Sequence, residues 1–328
     1  QQPGPVNWAR FNPAPLPGMV RLWTLEAMAH GAELVSYFRW RQVPFAQEQM
    51  HAGLLRPDSV DDVAVAEVRQ AAADIAALGE AGAPPLRVAV IFDYQSDWVT
   101  DIQPQGSGFS ALRTTFEYYS ALRQLGLDID IVAPDADIDA YNLVVIPCMP
   151  ILADRLVDRL ANFPGQVLIG PRTGSKTADF QIPANLPPGK LQRLLPIKVT
   201  RVESLRSGLV EQGEQFEVQH WLEHIDAGFA PLAKTKSGLG VAWQTGHLTY
   251  VAASIDPAGL KSLFKAICEQ AGLAPLDLPP DLRLRSNGRL RFAFNYGPSA
   301  IELPDTVAGE FQIGSREIDP AGVSVLLE

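Results

Sequence analysis

Arg87-Val-Ala-Val-Ile-Phe-Asp93 is the stretch on which the fold turns. Val88 to Phe92 are apolar without a break, so this strand has no polar face to give to water. Strands of that kind belong in parallel sheets covered by helices on both sides. Downstream, apolar positions at 109, 112, 116, 119, 122 and 125 predict a helix, followed by a strand at 128–132 and a continuous apolar strand at 142–147. A helix at 152–162 and a strand at 166–170 complete the alternation, which is that of a doubly wound sheet; the class is α/β, flavodoxin-like. After a Pro-rich excursion at 183–196 the chain turns strand-rich up to Tyr250-Val-Ala-Ala253, and a helix at 257–271 closes the unit. Linkers at 80–86 (Glu-Ala-Gly-Ala-Pro-Pro-Leu) and from Pro275 to Pro280 bound it, giving segments 1–82, 83–278 and 279–328.

Upstream, Pro3, Pro5, Pro13, Pro15 and Pro17 forbid regular structure, while Trp8, Phe11 and Leu16 make the same loop apolar. Val20, Trp23, Ala27 and Met28 keep helical spacing, with Gly31 where a C-cap belongs. Residues 33–40 (Glu-Leu-Val-Ser-Tyr-Phe-Arg-Trp) read as a strand, and Ser59 with Asp62 caps a helix with apolar positions at 60, 64, 68, 71, 75 and 78. Loop, helix, strand, loop, helix is the rhythm of an α/β barrel or a layered α/β domain. Past the second linker, Leu282 and Leu284, then Asn287-Gly288, then Leu290, Phe292 and Phe294 alternate strictly. An Asn-Gly pair between alternating runs signals a hairpin, so a small all-β domain ends the chain.

Composition narrows the function. Apolar residues are 47% and charged residues 20% of the 328, which excludes disorder. Lys plus Arg (27) against Asp plus Glu (37) leaves −10, which disfavours nucleic acid or an anionic membrane as partner; no stretch is long and apolar enough to span a bilayer. Cys148 and Cys268 are too few for a disulfide framework and fit a reducing compartment.

Three motifs fall short of their chemistry. Gly170-Pro-Arg-Thr-Gly174-Ser-Lys176-Thr177 follows a strand, but a phosphate loop needs four residues between its glycines and Lys directly after the second. His220 and His224 could share a helix face, yet Trp221 stands where a zincin has its Glu. Cys148 follows an apolar strand, as an amidotransferase nucleophile would, but Pro147 and Met149-Pro150 flank it and no His partner is evident. No metal or cofactor is expected.

The informative cluster is Trp8, Tyr37-Phe-Arg-Trp-Arg-Gln42 and Pro44-Phe-Ala-Gln-Glu48-Gln-Met-His51. Loops after barrel strands gather at one face, where active sites are built. Glu48 and His51, three apart, can hold two adjacent hydroxyls of one sugar, and an indole such as Trp8 offers a pyranose a flat apolar face.

Gln1-Gln-Pro-Gly-Pro-Val-Asn-Trp8, Pro17-Gly-Met-Val-Arg-Leu-Trp-Thr24, Ala29-His-Gly-Ala32, Ser36-Tyr-Phe-Arg-Trp-Arg-Gln42 and Pro44 through Leu54 together resemble the β-galactosidases of glycoside hydrolase family 42. The resemblance implies a (β/α)8 barrel that cleaves terminal β-galactosides with retention, a flavodoxin-like (class I glutamine amidotransferase-like) trimerisation domain, and a small C-terminal β domain. It makes residues 1–82 the remnant of the barrel, with Trp8 a wall of the galactose subsite, Glu48 and His51 partners of galactose hydroxyls and Phe38 a floor. It also implies a homotrimer in the bacterial cytoplasm, in which Trp98, on the loop after the first strand, helps wall a neighbour's site. Arg10-Phe11 and Leu25 depart from the family's pattern and put its leaving-group preference in question. The family's nucleophilic Glu would immediately precede Gln1, with the acid/base Glu further upstream. The opening Gln1-Gln2-Pro3-Gly4-Pro5, without initiator Met or signal features, accordingly reads as a cut, and the chain alone is expected to be inactive. The rival expectation is a free-standing, non-catalytic interaction or scaffold module built on the flavodoxin-like domain.

Overall fold

The computed structural model describes residues 1–79, 82 and 86–328, so the linker expected at 80–86 lies largely outside the described residues. The chain packs into two compact units, one of residues 1–85 with 277–328 and the other of residues 86–276. Residues 279–328, read from sequence as a segment apart, thus pack with the N-terminal residues. The fold is mixed α/β.

Helix α1 (Met19–Ala29) has no capping side chain of its own. Its first amides are satisfied from elsewhere: the Gly18 and Arg21 N–H groups donate to the Glu67 carboxylate at 2.8 and 3.1 Å. It ends as the sequence predicts, with Gly31 at φ 90° and the Ala32 N–H donating to Ala27 O at 3.0 Å. Glu67 lies on α2 (Ala64–Leu78), which Arg21 also reaches through Asp74 at 2.6 Å.

Two expectations fail in this segment. Residues 33–40 form no strand. Phe38 N–H donates to Gln1 O at 3.0 Å, while Leu54 and Leu55 N–H donate to Arg39 and Trp40 O at 2.8 Å. One bond to Gln1 and a short contact with residues 54–55 that yields a single bridge, Arg41 with Leu55, do not make a ladder, and β-propensity makes a strand only where a neighbour runs alongside. Nor does α2 begin at Ser59. That residue has φ 66° and accepts from Arg41 Nη1 at 3.0 Å, and Asp62 Oδ1 accepts from the adjacent Val63 N–H at 2.8 Å, so both are spent on the loop.

In the second unit, β1 (Val88–Ile91) is buried throughout. It is followed by α3 (Tyr94–Ile102), α4 (Ala111–Gln124), β2 (Ile129–Val132), β3 (Leu143–Ile146), α5 (Asp154–Asn162) and β4 (Gln166–Ile169). The sequence reading missed α3. Asp93, taken as the end of the strand, is its N-cap and accepts from the Gln95 and Ser96 N–H groups at 3.1 and 3.2 Å. Trp98 therefore sits on a helix and not on a loop. The strand-rich part comprises β5 (Ile197–Ser204), β6 (Glu211–Gln212), β7 (Glu217–Ala227), β8 (Ala233–Lys234), β9 (Gly240–Thr245), β10 (Leu248–Val251) and β11 (Ala253–Ile255), and α6 (Pro257–Gln270) closes the unit behind an Asp256 cap.

The main sheet runs β2-β1-β3-β4-β10-β9-β8, parallel from β2 to β10 and antiparallel beyond. A second sheet runs β11-β7-β5. Both faces of the main sheet are covered, one by Tyr118, Leu122, Leu260 and Phe264, the other by Leu156, Val157, Leu160 and Leu191. Each such side chain contributes about 1.5–3 kcal/mol on burial, which explains why these strands are predominantly apolar, with Thr249 of β10 a buried polar exception.

The C-terminal residues add β12 (Leu282–Asn287), β13 (Leu290–Asn295), β14 (Ile301–Glu302), β15 (Glu310–Ile313), β16 (Glu317–Ile318) and β17 (Val323–Leu327), in a sheet ordered β12-β13-β17-β15 and a separate pair β14-β16. The hairpin is present, one residue out of the expected register. Asn287 pairs with Leu290, so the loop is Gly288-Arg289, and only Gly288 takes a positive φ, at 60°. Asn287 is held in the ladder by its own side chain, whose Nδ2 donates to Met28 O at 2.9 Å. Phe292, Phe294, Val323 and Val325 then pack on Leu22, Leu25 and Ala29 of α1.

Candidate functional site

Three segments distant in sequence are pinned together by two backbone bonds and one side-chain bond. Phe38 N–H donates to Gln1 O at 3.0 Å, Ala52 N–H to Pro5 O at 2.9 Å, and Asn7 Nδ2 to Gln47 O at 3.3 Å. Trp8, Phe38, Glu48 and His51, each singled out in the sequence, thereby share one place. The His51 ring lies 4.6 Å from the Trp8 ring, tilted by 57°, and 4.9 Å from Phe38, which meets it edge-on. His51 is fully buried, while Trp8 keeps 62% of its surface exposed. The arrangement is a half-open aromatic corner with an imidazole at its base.

Its polar groups are few and fixed. His51 Nε2 is 2.7 Å from Gln2 Oε1, which makes Nε2 the protonated nitrogen and leaves Nδ1 as an acceptor with no partner among the described residues. Burial first, and the Arg39 guanidinium second, push the His51 pKa below its ordinary value, against an upward pull from Glu48. The neutral ring is thus the favoured form. Glu48 pairs with Arg39 Nη2, and its backbone carbonyl accepts from His51 N–H at 3.1 Å. Arg39 in turn lies over the Phe38 ring at 4.7 Å, with its buried Nη1 unpaired among the described residues. Gln2 and Arg39 were not singled out from sequence. Their signal was adjacency, Arg39 to Phe38 and Gln2 to the Pro-rich loop, and adjacency alone does not say where a side chain turns.

Residues 86–274 match the family model described as beta-galactosidase trimerisation domain, and residues 1–78 match the one described as beta-galactosidase. The chain belongs to the β-galactosidases of glycoside hydrolase family 42. It is similar to the beta-galactosidase of Thermus thermophilus, 49% identical over 329 residues that cover 99% of this chain and 51% of that protein. The crystal structure of the beta-galactosidase from the psychrophilic Marinomonas ef1 superposes with a TM-score of 0.96 at 41% identity, over 100% of this chain and 52% of that one. The enzyme from the Antarctic haloarchaeon Halorubrum lacusprofundi gives 0.95 at 30% identity, over 100% and 52%. The family 42 chain spans about half the length of the curated relatives it matches.

The rival motifs of this family 42 chain have structural explanations. In the loop at 170–177, the Gly174 and Lys176 amides donate to Met149 and Pro150 carbonyls at 2.9 Å, so they cannot cradle a phosphate. His220 and His224 lie on strand β7, not on a helix. Four residues along a strand span about 13 Å, too far for one metal, and His224 Nε2 instead meets Glu203 at 2.7 Å. Among the described residues no group of three potential metal ligands occurs, and no helix is long and apolar enough to cross a membrane. Cys148 is buried beside Phe109 and Trp221, and that burial pushes its thiol up to about 12, the opposite of an activated nucleophile.

Proposed function

We propose that the chain forms the galactose-holding side and the assembly domain of a retaining β-galactosidase acting on terminal non-reducing β-D-galactosides. The observation that carries this is the corner made by Trp8, Phe38, Glu48 and His51 within the segment that matches the catalytic family model. In this reading Trp8 is the wall against which the sugar ring packs, and Phe38 is the floor that fixes the His51 ring. His51 Nδ1 and the Glu48 carboxylate are acceptors for neighbouring hydroxyls, with Arg39 holding Glu48 in place. Residues 1–82 would close a (β/α)8 barrel, 83–278 would be a flavodoxin-like trimerisation domain, and 279–328 a small β domain. The assembly would be a homotrimer, and the two unpaired, buried thiols favour the bacterial cytoplasm.

Galactose titrated into the 328-residue chain is expected to perturb Trp8 fluorescence. Trp8→Ala or His51→Ala should weaken binding about tenfold or more, roughly the 1.4 kcal/mol of one ring face or one buried hydrogen bond. Glucose, which differs at one hydroxyl, should bind less well. Equal binding of galactose by wild type and both variants would overturn the assignment, as would no binding by the wild type.

A further inference from the structure

Arg172 is 1% exposed, and among the described residues no acceptor reaches its Nε, Nη1 or Nη2. A guanidinium carries five N–H donors and keeps its charge at physiological pH, so burying it without an acceptor is costly. The backbone adds to that cost, with φ at 63°, in the left-handed region that a long side chain avoids. Strain stored at a buried charge points to a ligand site. Position agrees. Arg172 lies just past β4, in the loop Gly170–Thr177, and Cys148 lies just past the neighbouring β3. The carboxyl ends of parallel strands are where open α/β sheets take their ligands.

The surroundings favour the cation without pairing it. Phe109 and Trp221 present their rings to the guanidinium carbon at 5.4 and 5.6 Å, which leaves the N–H groups unmatched. Glu223, the buried carboxylate nearby, already accepts from Arg172 N–H, Trp221 Nε1 and Tyr250 OH. Asp97, which also bears on Cys148, accepts from Leu112 N–H. The same loop brings a second cation. Half-buried Lys176 is held below its ordinary pKa by burial and then by the Arg172 charge, and it has no ion-pair partner among the described residues.

We propose that the Gly170–Thr177 loop binds a small planar oxyanion of the carboxylate class, whose two oxygens pair with the Arg172 N–H groups while Lys176 adds its charge. The guanidinium fork matches a carboxylate through two parallel bonds. Water would satisfy the N–H groups but would not offset two neighbouring positive charges. The Gly174 and Lys176 amides are spent on Met149 and Pro150 carbonyls, so side chains and not a phosphate cradle hold this anion. The burial of Arg172 limits the occupant to a few heavy atoms, the size of acetate or bicarbonate.

Isothermal titration of sodium acetate into the 328-residue chain, against sodium chloride at equal ionic strength, tests the proposal. The wild type should bind acetate saturably, and its thermal midpoint should rise with acetate and not with chloride. Lys176→Ala should weaken binding about threefold, as for a partly exposed charge, and Arg172→Met should abolish it. Lys190→Ala, at an exposed lysine paired with Asp154 in the same unit, should leave binding unchanged. No saturable binding by the wild type overturns the proposal and leaves Arg172 to water alone, and an equal response to chloride overturns it as mere screening. Should Arg172→Met lose its circular dichroism, the two lysine variants decide: equal affinity in Lys176→Ala and Lys190→Ala refutes the site.

Discussion

His51 is held neutral by its surroundings, and this ties stability to pH. Its pKa is lowered by burial and by Arg39, so the folded form resists protonation while the unfolded chain takes up its proton at about 6.5. The stabilisation is therefore complete above that pH and is lost as pH falls through 6.5 towards the lower folded value. The thermal midpoint should decline over this range, and His51→Asn should remove part of the decline; identical slopes would refute the assignment. Cys148 and Cys268, both pushed up to about 12, should escape iodoacetamide in the native protein near neutral pH and react once unfolded, as read by mass spectrometry. Glu223 is the most heavily used buried carboxylate of the second unit. It accepts from Arg172 N–H at 2.8 Å, Trp221 Nε1 at 3.2 Å and Tyr250 OH at 2.6 Å, and the Arg172 guanidinium lies buried between Phe109 and Trp221. Glu223→Ala strands three donors beside a buried cation and should cost about 3–5 kcal/mol in urea unfolding, with Glu223→Gln milder.

At the scale of elements, apolar spacing places several helices and strands of the second unit, although two of the positions that mark α4, Leu112 and Phe116, face outward. Helices α4, α5 and α6 and strands β1 to β4 follow from their apolar spacing. It misled where one residue type serves two structures. Asp93 could end a strand or cap a helix, and only its bonds to the Gln95 and Ser96 amides show which. Residues 33–40 have the composition of a strand, but pairing is a property of two segments, and one segment's sequence does not contain its neighbour. Asn287-Gly288 announces the hairpin, while in the structure Asn287 stays in the ladder opposite Leu290 with its side chain bonded to Met28 O. Gly288→Ala tests that register. The residue has φ 60° and an added Cβ would collide with the Gly82 backbone, so a loss of about 1–3 kcal/mol is expected in urea unfolding. Tolerance of alanine would mean that the turn lies elsewhere.

For the whole molecule, the retaining reaction needs two carboxyl groups about 5–5.5 Å apart. At the corner described, the Glu48 carboxylate is engaged by Arg39. The 328-residue chain by itself is accordingly expected to leave a chromogenic β-galactoside unhydrolysed, and measured turnover would refute that expectation. The sequence by itself determined the class of the central sheet, most of its helices, and four side chains, Trp8, Phe38, Glu48 and His51, that come together at one corner. Apolar period, glycine placement and residue chemistry are local properties, and runs such as Val88 to Phe92 carry them openly. Only the tertiary structure decided that residues 277–328 pack with residues 1–85, that Gln2 sets the His51 tautomer, and that Tyr94, Trp98, Ile102, Leu112 and Phe116 form one exposed face. Each of these depends on where separate segments meet, and a contact between distant residues is an energy of the folded chain that no single stretch of sequence expresses.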